Sequence, residues 1–219
     1  MIYQTILRSG LNLHSYSAIK PLTIWIRVNQ LRIIAGVAKG RILGAVAGAT
    51  RPTSDRAREG LFSSLASEFG TFEGLHVLDL FGGSGAIGLE SLSRGATSVH
   101  IVEKDDEAQK TIETNFEIVK KSNPAGSFHL YGMSAERFLK DAPKDKYHLV
   151  YIDPPYDFSN QAVEDVLSAL HDYEFLSSDA FIAVERTARG AQFIWPDAFV
   201  PARERKYGQA TIYYANYQP

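Results

Sequence analysis

The chain contains no cysteine, which excludes disulfides, thiolate nucleophiles and cysteine-bound metals. No apolar run approaches the roughly 20 residues that cross a bilayer. The first residues show no compact apolar stretch ending at a small-residue cleavage site, so neither a membrane span nor a signal peptide is expected. Acidic residues are missing before Asp55. Residues 1–54 hold seven bases (Arg8, Lys20, Arg27, Arg32, Lys39, Arg41 and Arg51), whereas the rest carries 16 bases against 25 acids. The net charge of −2 thus conceals a basic N-terminal quarter on an acidic body, a pattern suited to a polyanionic partner. Hydrophobic residues at 45 % and charged residues at 22 % are ordinary for a soluble domain, and 219 residues can bury a substantial core. One folded domain with an appendage, in a reducing compartment such as the cytoplasm, is the expectation.

Residues 1–30 mix Ser, Asn and Tyr with isolated apolar pairs and read as a low-order extension. The run at residues 24–28 is apolar enough to pair as a strand, but a chain starting near Val28 is expected to fold and work equally well. Residues 31–46, LRIIAGVAKGRILGAV, place two apolar runs around Gly36 and Gly40, a hairpin signal, so 31–54 is read as a basic β-hairpin arm. Pro52 disfavours helix at Arg51, and Thr53 or Ser54 can cap the amphipathic helix expected over 55–69. From residue 75 onward, strands (75–81, 98–103, 127–131, 147–153, 179–185) alternate with helices (85–95, 105–121, 134–141, 160–172). Such alternation implies a parallel sheet covered on both faces. Residues 202–217 read as two strands joined near Tyr207 and Gly208, which brings an antiparallel strand to the end of that sheet. The expected fold over 55–219 is therefore α/β and Rossmann-like, with a mostly parallel seven-stranded sheet.

Two loops carry the chemistry. In the first, Asp79 ends a strand and is followed by Leu80, Phe81, Gly82, Gly83, Ser84 and Gly85, with Gly88 completing G-x-G-x-x-G ahead of a helix. Such a loop lets backbone approach a nucleotide-like cofactor closely. Glu103 ends the next strand, where an acid can hold ribose hydroxyls, and Lys104 follows it. Asp79 would repel the pyrophosphate of a dinucleotide. It suits the ammonium and sulfonium charges of S-adenosylmethionine.

The second loop, Asp153-Pro154-Pro155-Tyr156, follows the strand that begins near Tyr147. Its prolines remove two N–H donors and leave carbonyls and a carboxylate, an acceptor-only surface that fits an exocyclic NH2 group. Tyr156 offers a flat face for an extruded base. His76, His100, His129, His148 and His171 are scattered without metal-ligand spacing, so no metal is expected.

DPPY after a D-x-F-x-G-x-G loop resembles methyltransferases acting on exocyclic amines of nucleobases. Within that group the segments RIIAG, KGR, RPTSDRAREGLF, VLDLFGGSGAIGLESLSRGA, DPPY and RKYGQ resemble the RsmD family, from about Leu31 to the C-terminus. The resemblance implies methyl transfer from S-adenosylmethionine to guanine N2 in bacterial 16S ribosomal RNA, on naked RNA or an assembling small subunit, by a monomer. It places Asp79, Phe81, Gly82, Gly83, Ser84, Gly85, Glu103 and Lys104 around the cofactor, with Ser134 and Ala135 near the adenine. Asp153, Pro154, Pro155 and Tyr156 become the catalytic set, and Arg32, Lys39, Arg41, Arg51, Thr53 and Arg58 the RNA contacts. Family members begin close to the RIIAG segment, so residues 1–30 depart from the pattern. The rivals are a DNA adenine-N6 methyltransferase, a nicotinamide-dependent oxidoreductase and a non-catalytic RNA-binding assembly factor.

Overall fold

The computed structural model describes residues 30–46, 55–143, 145–187 and 194–219. The residue 1–29 part of the extension, and Arg51 and Thr53, lie outside the described residues. The elements run α1 (Asp55–Phe69), β1 (His76–Asp79), α2 (Ala86–Ser93), β2 (Ser98–Glu103), α3 (Asp106–Lys120), β3 (Ser127–Gly132) and α4 (Ala135–Asp141). They continue with β4 (Tyr147–Ile152), α5 (Asn160–Asp172), β5 (Leu176–Thr187), β6 (Phe199–Tyr207) and β7 (Ala210–Tyr217). The caps are local chemistry. Asp105 accepts the Ala108 amide at 2.9 Å to start α3, and Ser159 accepts the Ala162 amide at 3.0 Å to start α5.

The seven strands form one sheet in the order β3-β2-β1-β4-β5-β7-β6. The first five are parallel, and β7 runs antiparallel to both β5 and β6. Four of the parallel strands, β1, β2, β4 and β5, alternate their burial between two cores, and β3 forms the half-exposed edge. Val77, Val99, Ile101, Leu149 and Ala183 join the core beneath α1 and α2. Leu78, Val102, Val150, Ile152 and Ile182 join the one beneath α4 and α5. Because the strands are parallel, the carboxyl ends of β1, β2, β4 and β5 share one rim of the sheet, where ligands bind in open α/β folds.

The expected hairpin is realised over the described residues as a single antiparallel bridge between Arg32 and Ile42. The segment does not stand away from the body as an arm. Leu31, Ile33, Ala38 and Leu43 are buried in the first core. Its backbone is held by side chains of α2: Glu90 accepts the Ile34 and Ala35 amides at 2.6 and 2.9 Å, and Ser93 Oγ accepts the Ala38 amide at 3.0 Å. Helix partners thus replace the strand partners that a longer hairpin would supply. Among the described residues, no helix is long and apolar enough to cross a membrane.

Candidate active site

The rim gathers both sequence loops. Leu80 N donates to Tyr151 O at 3.0 Å, which ties the exit of β1 to β4, and Gly82 N donates to Val102 O at 3.0 Å. The chain then turns through Gly83 and Gly85, with φ of 54° and 76°, conformations that glycine adopts without a Cβ clash. Gly85 leads directly into α2 with no side-chain cap. Asn115, fully buried on α3, donates to Ser84 O at 2.8 Å and to Gly44 O at 2.9 Å, and accepts the Gly44 amide at 2.7 Å. One amide thereby fixes the glycine loop and the N-terminal segment to the same helix.

A cavity of about 920 Å³ opens on this rim. Leu80, Phe81, Gly83, Val102, Glu103, Lys104, Met133, Ser134 and Ala135 line one part of it, and Asp153, Pro154, Pro155 and Tyr156 another. A smaller cavity of about 170 Å³, lined by Asp79, Gly82, Ser84, Arg58 and Tyr151 among others, shares Phe81, Gly83 and Asp153 with it. The two sequence loops therefore face one connected space, large enough for a nucleoside-sized cofactor beside a base.

The acids differ in their surroundings. Glu103 accepts the Gly83 amide at 2.8 Å on one oxygen and the Asp105 amide at 2.9 Å on the other. Asp79 is buried. Its Oδ2 accepts the Gly88 amide at 3.1 Å, while Oδ1 has no hydrogen-bond partner of good geometry. Burial pushes the Asp79 carboxyl up to about 7, opposed by the Gly88 amide and, more weakly, the Phe81 amide, and reinforced by the charge of Glu103. An orphaned buried carboxylate oxygen beside a small cavity fits a cationic donor such as the ammonium of S-adenosylmethionine. Phe81 meets Phe158 edge-on at 5.3 Å. Tyr156 is 67 % exposed, so its ring is available for stacking.

Ser134 lines the cavity, and its hydroxyl caps α4 by accepting the Arg137 amide at 3.3 Å. Of the described residues read as RNA contacts, Arg32, Lys39, Arg41 and Arg58, none lines the large cavity. Arg58 is only 1 % exposed and donates to Arg32 O at 3.0 Å, pinning the N-terminal segment to α1. It lines the smaller cavity together with Asp79 and Asp153, as a buried interior residue and not an exposed RNA contact. Arg32 is exposed beside it. Lys39 and Arg41 are exposed near the C-terminal ends of α2 and α3, where the Val37 amide meets Ser93 O at 2.8 Å and Arg41 Nε meets Ser122 Oγ at 3.3 Å. Those helices run away from the rim, so both bases sit at the opposite end of the sheet from Asp153.

Sequence reasoning missed other lining residues: Arg56 at the start of α1, Glu185 and Arg186 on β5, and Lys206 and Gln209 at the β6–β7 turn. Arg186 donates from Nε to Asn160 Oδ1 at 3.0 Å and from Nη2 to Phe158 O, fastening the loop after Tyr156 to β5. Glu185 had a legible signal. The expected strand runs 75–81, 98–103, 147–153 and 179–185 each carry an acid at or near their end, Asp79, Glu103, Asp153 and Glu185, and only the first three belong to a motif with a readable chemistry.

The family model Conserved hypothetical protein 95 matches residues 31–216. The chain is 34 % identical to "Ribosomal RNA small subunit methyltransferase D" of Escherichia coli strain K12, covering 86 % of this chain and 90 % of that protein. It is 33 % identical to the protein of the same name from Haemophilus influenzae, covering 82 % and 90 %. The solved Escherichia coli protein yhhF superposes with a TM-score of 0.73 at 31 % identity, covering 86 % of this chain and 98 % of that one. The fold, the order of the motifs and these likenesses agree, and the chain belongs to the family described as Conserved hypothetical protein 95, the RsmD family.

Proposed function

We propose that this chain transfers a methyl group from S-adenosylmethionine to the exocyclic N2 of a guanine in 16S ribosomal RNA of the small subunit. The observation that carries this reading is the shared space: the acceptor-only loop 153–156 opens into the same cavity as the glycine loop and Glu103. The named rRNA methyltransferases among its relatives support the RNA substrate.

S-adenosylmethionine, when bound, would supply a methyl group activated by its positive sulfur, the S–CH3 bond breaking as the C–N bond forms and sulfur leaving as a neutral thioether. The chain supplies position and electrostatics. Asp79 Oδ1 takes the ammonium, Gly83 and Gly85 allow the backbone to approach, and Glu103 keeps lone pairs for the ribose hydroxyls. Phe81, Lys104, Ser134 and Ala135 wall the adenosine side. Asp153 and the Pro154 carbonyl accept the two amine protons of guanine and turn the nitrogen lone pair out of conjugation toward the methyl group. Tyr156 stacks on the extruded base. The amine proton becomes acidic only as the C–N bond forms, so Asp153 or water removes it late, and the rate rests on orientation more than on a strong base.

The test is methylation of small subunits from a strain lacking this protein, with labelled S-adenosylmethionine and mapping of the product base. Labelled N2-methylguanine in 16S RNA is the expected outcome. Label in adenine, or in DNA supplied in parallel, would overturn the reading in favour of the adenine-N6 rival.

A further inference from the structure

Of the four acids near the carboxyl ends of parallel strands, the proposed mechanism uses three. The fourth, Glu185, stands beside the amine-holding loop. The last registered pair between β4 and β5 is Ile152 with Val184, so Asp153 and Glu185 follow side by side. Glu185 is 9 % exposed and lines the large cavity together with Asp153, Pro154 and Tyr156. Its Oε2 accepts the Tyr151 hydroxyl at 2.7 Å, and Tyr151 is buried in turn. This fixes the carboxylate and leaves Oε1 for another donor. The adjacent Arg186 directs its guanidinium to Asn160 and the Phe158 carbonyl. Burial raises the Glu185 carboxyl, as expected of a group whose charge is incompletely compensated by the protein.

A base that fits here must bring donors, because Asp153, the Pro154 carbonyl and Glu185 are all acceptors when ionised. Guanine brings N1–H directly beside its N2 amine. Adenine places a lone pair at N1 beside its amine, which would face a carboxylate with no proton between them. We infer that Glu185 is the specificity-determining residue of this site: it accepts guanine N1–H while Asp153 and Pro154 hold the N2 amine. This rests on the guanine reading above. Tyr151 is the positioning residue that orients the Glu185 carboxylate.

The discriminating substrate keeps the amine and removes the N1 proton. Small subunits are reconstituted with either guanine or 2-aminopurine at the mapped position. Wild type is expected to prefer guanine by at least about 100-fold in kcat/KM, since a site built around a hydrogen bond rejects an analogue lacking it. Glu185→Gln, whose amide can donate to the N1 lone pair, is expected to lose about 100-fold on guanine and to narrow or reverse the preference. Tyr151→Phe is expected to lose less on guanine and to keep the preference. Calorimetry with S-adenosylmethionine should give wild-type affinity for both variants, showing a folded cofactor half. A wild-type guanine preference in Glu185→Gln, whatever its absolute rate, would overturn the inference and leave Glu185 structural. Failure of wild type to methylate the guanine subunits would instead overturn the function itself, and this inference with it.

Discussion

Asp79 is a carboxyl whose ionisation opposes folding. Its folded value of about 7 lies above the ordinary 3.8, so the native state holds a proton that the unfolded chain has released between those values. Stability contributed by the protonated form is complete below about pH 4, falls as pH rises through 7 and is gone above it. The swing is at most about 4 kcal/mol. Asp79→Asn should therefore match wild type in urea unfolding at pH 4 and exceed it by a few kcal/mol at pH 8, without cofactor. Equal pH slopes in the two proteins would refute this. The same proton must leave when an ammonium binds, so S-adenosylmethionine affinity should weaken as pH drops below 7, with proton release visible as a dependence on buffer ionisation heat. The two acids should also separate by calorimetry: Asp79→Ala loses the cofactor, whereas Asp153→Ala keeps it and loses turnover. Comparable cofactor loss in both would contradict the assigned roles. Asp79 and Asp153 were legible in the sequence because motif spacing marks strand ends. The orphaned oxygen was not, since burial is a property of the packed rim.

At the scale of elements, helical and strand periods located the alternating elements from β1 onward to within a few residues, and β2 and α5 to the residue. The apolar faces that drive packing recur with fixed spacing and need no tertiary information. The hairpin expected over 31–54 shows the limit. Its glycines and flanking apolar pairs suit a strand turn, and the Ile33, Gly40 and Leu43 amides do bond across it, yet the Ile34, Ala35 and Ala38 amides are met by Glu90 and Ser93, more than fifty residues away in sequence. Nothing in a local pattern announces such a partner. Glu90 reads as one polar position on a short helix, but it is fully buried and also accepts Arg94 Nε at 2.8 Å. Glu90→Ala would strand two backbone amides and remove charge-assisted bonds. It should lower unfolding free energy by about 3 kcal/mol and admit protease within residues 31–46 before the rest of the chain. Destabilisation under about 1 kcal/mol would mean that apolar burial alone holds the segment.

For the whole molecule, composition announced a basic N-terminal quarter but not where its charges end up. Packing of 31–46 down α2 carries Lys39 and Arg41 away from the active rim, while Arg56 and Lys206, far apart in sequence, line the same cavity. RNA bound at the target base should thus be felt more by the second pair. Arg56→Ala with Lys206→Ala should raise KM for small subunits and flatten the log K against log salt slope by about 0.7 for each phosphate left without its cation. A larger flattening from Lys39→Ala with Arg41→Ala would return the RNA interface to the N-terminal segment. The strand order was equally hidden, because alternation predicts parallel strands without saying which ones adjoin. That order has a consequence for synthesis. Strand β7, the last to be made, lies between β5 and β6, so β6 has no neighbour until β7 inserts. The turn it completes, with Tyr207 seated against α1 where a side chain at Gly60 would collide with its ring, walls the acceptor side of the cavity. The same strand places Ile212 and Tyr214 in the first core and Ala215 and Tyr217 in the second, so the residues that pack both faces of the sheet arrive last. A message truncated before the codons of β7 would therefore cost the chamber wall and the packing of the sheet together, and the enzyme is complete only when its final strand is.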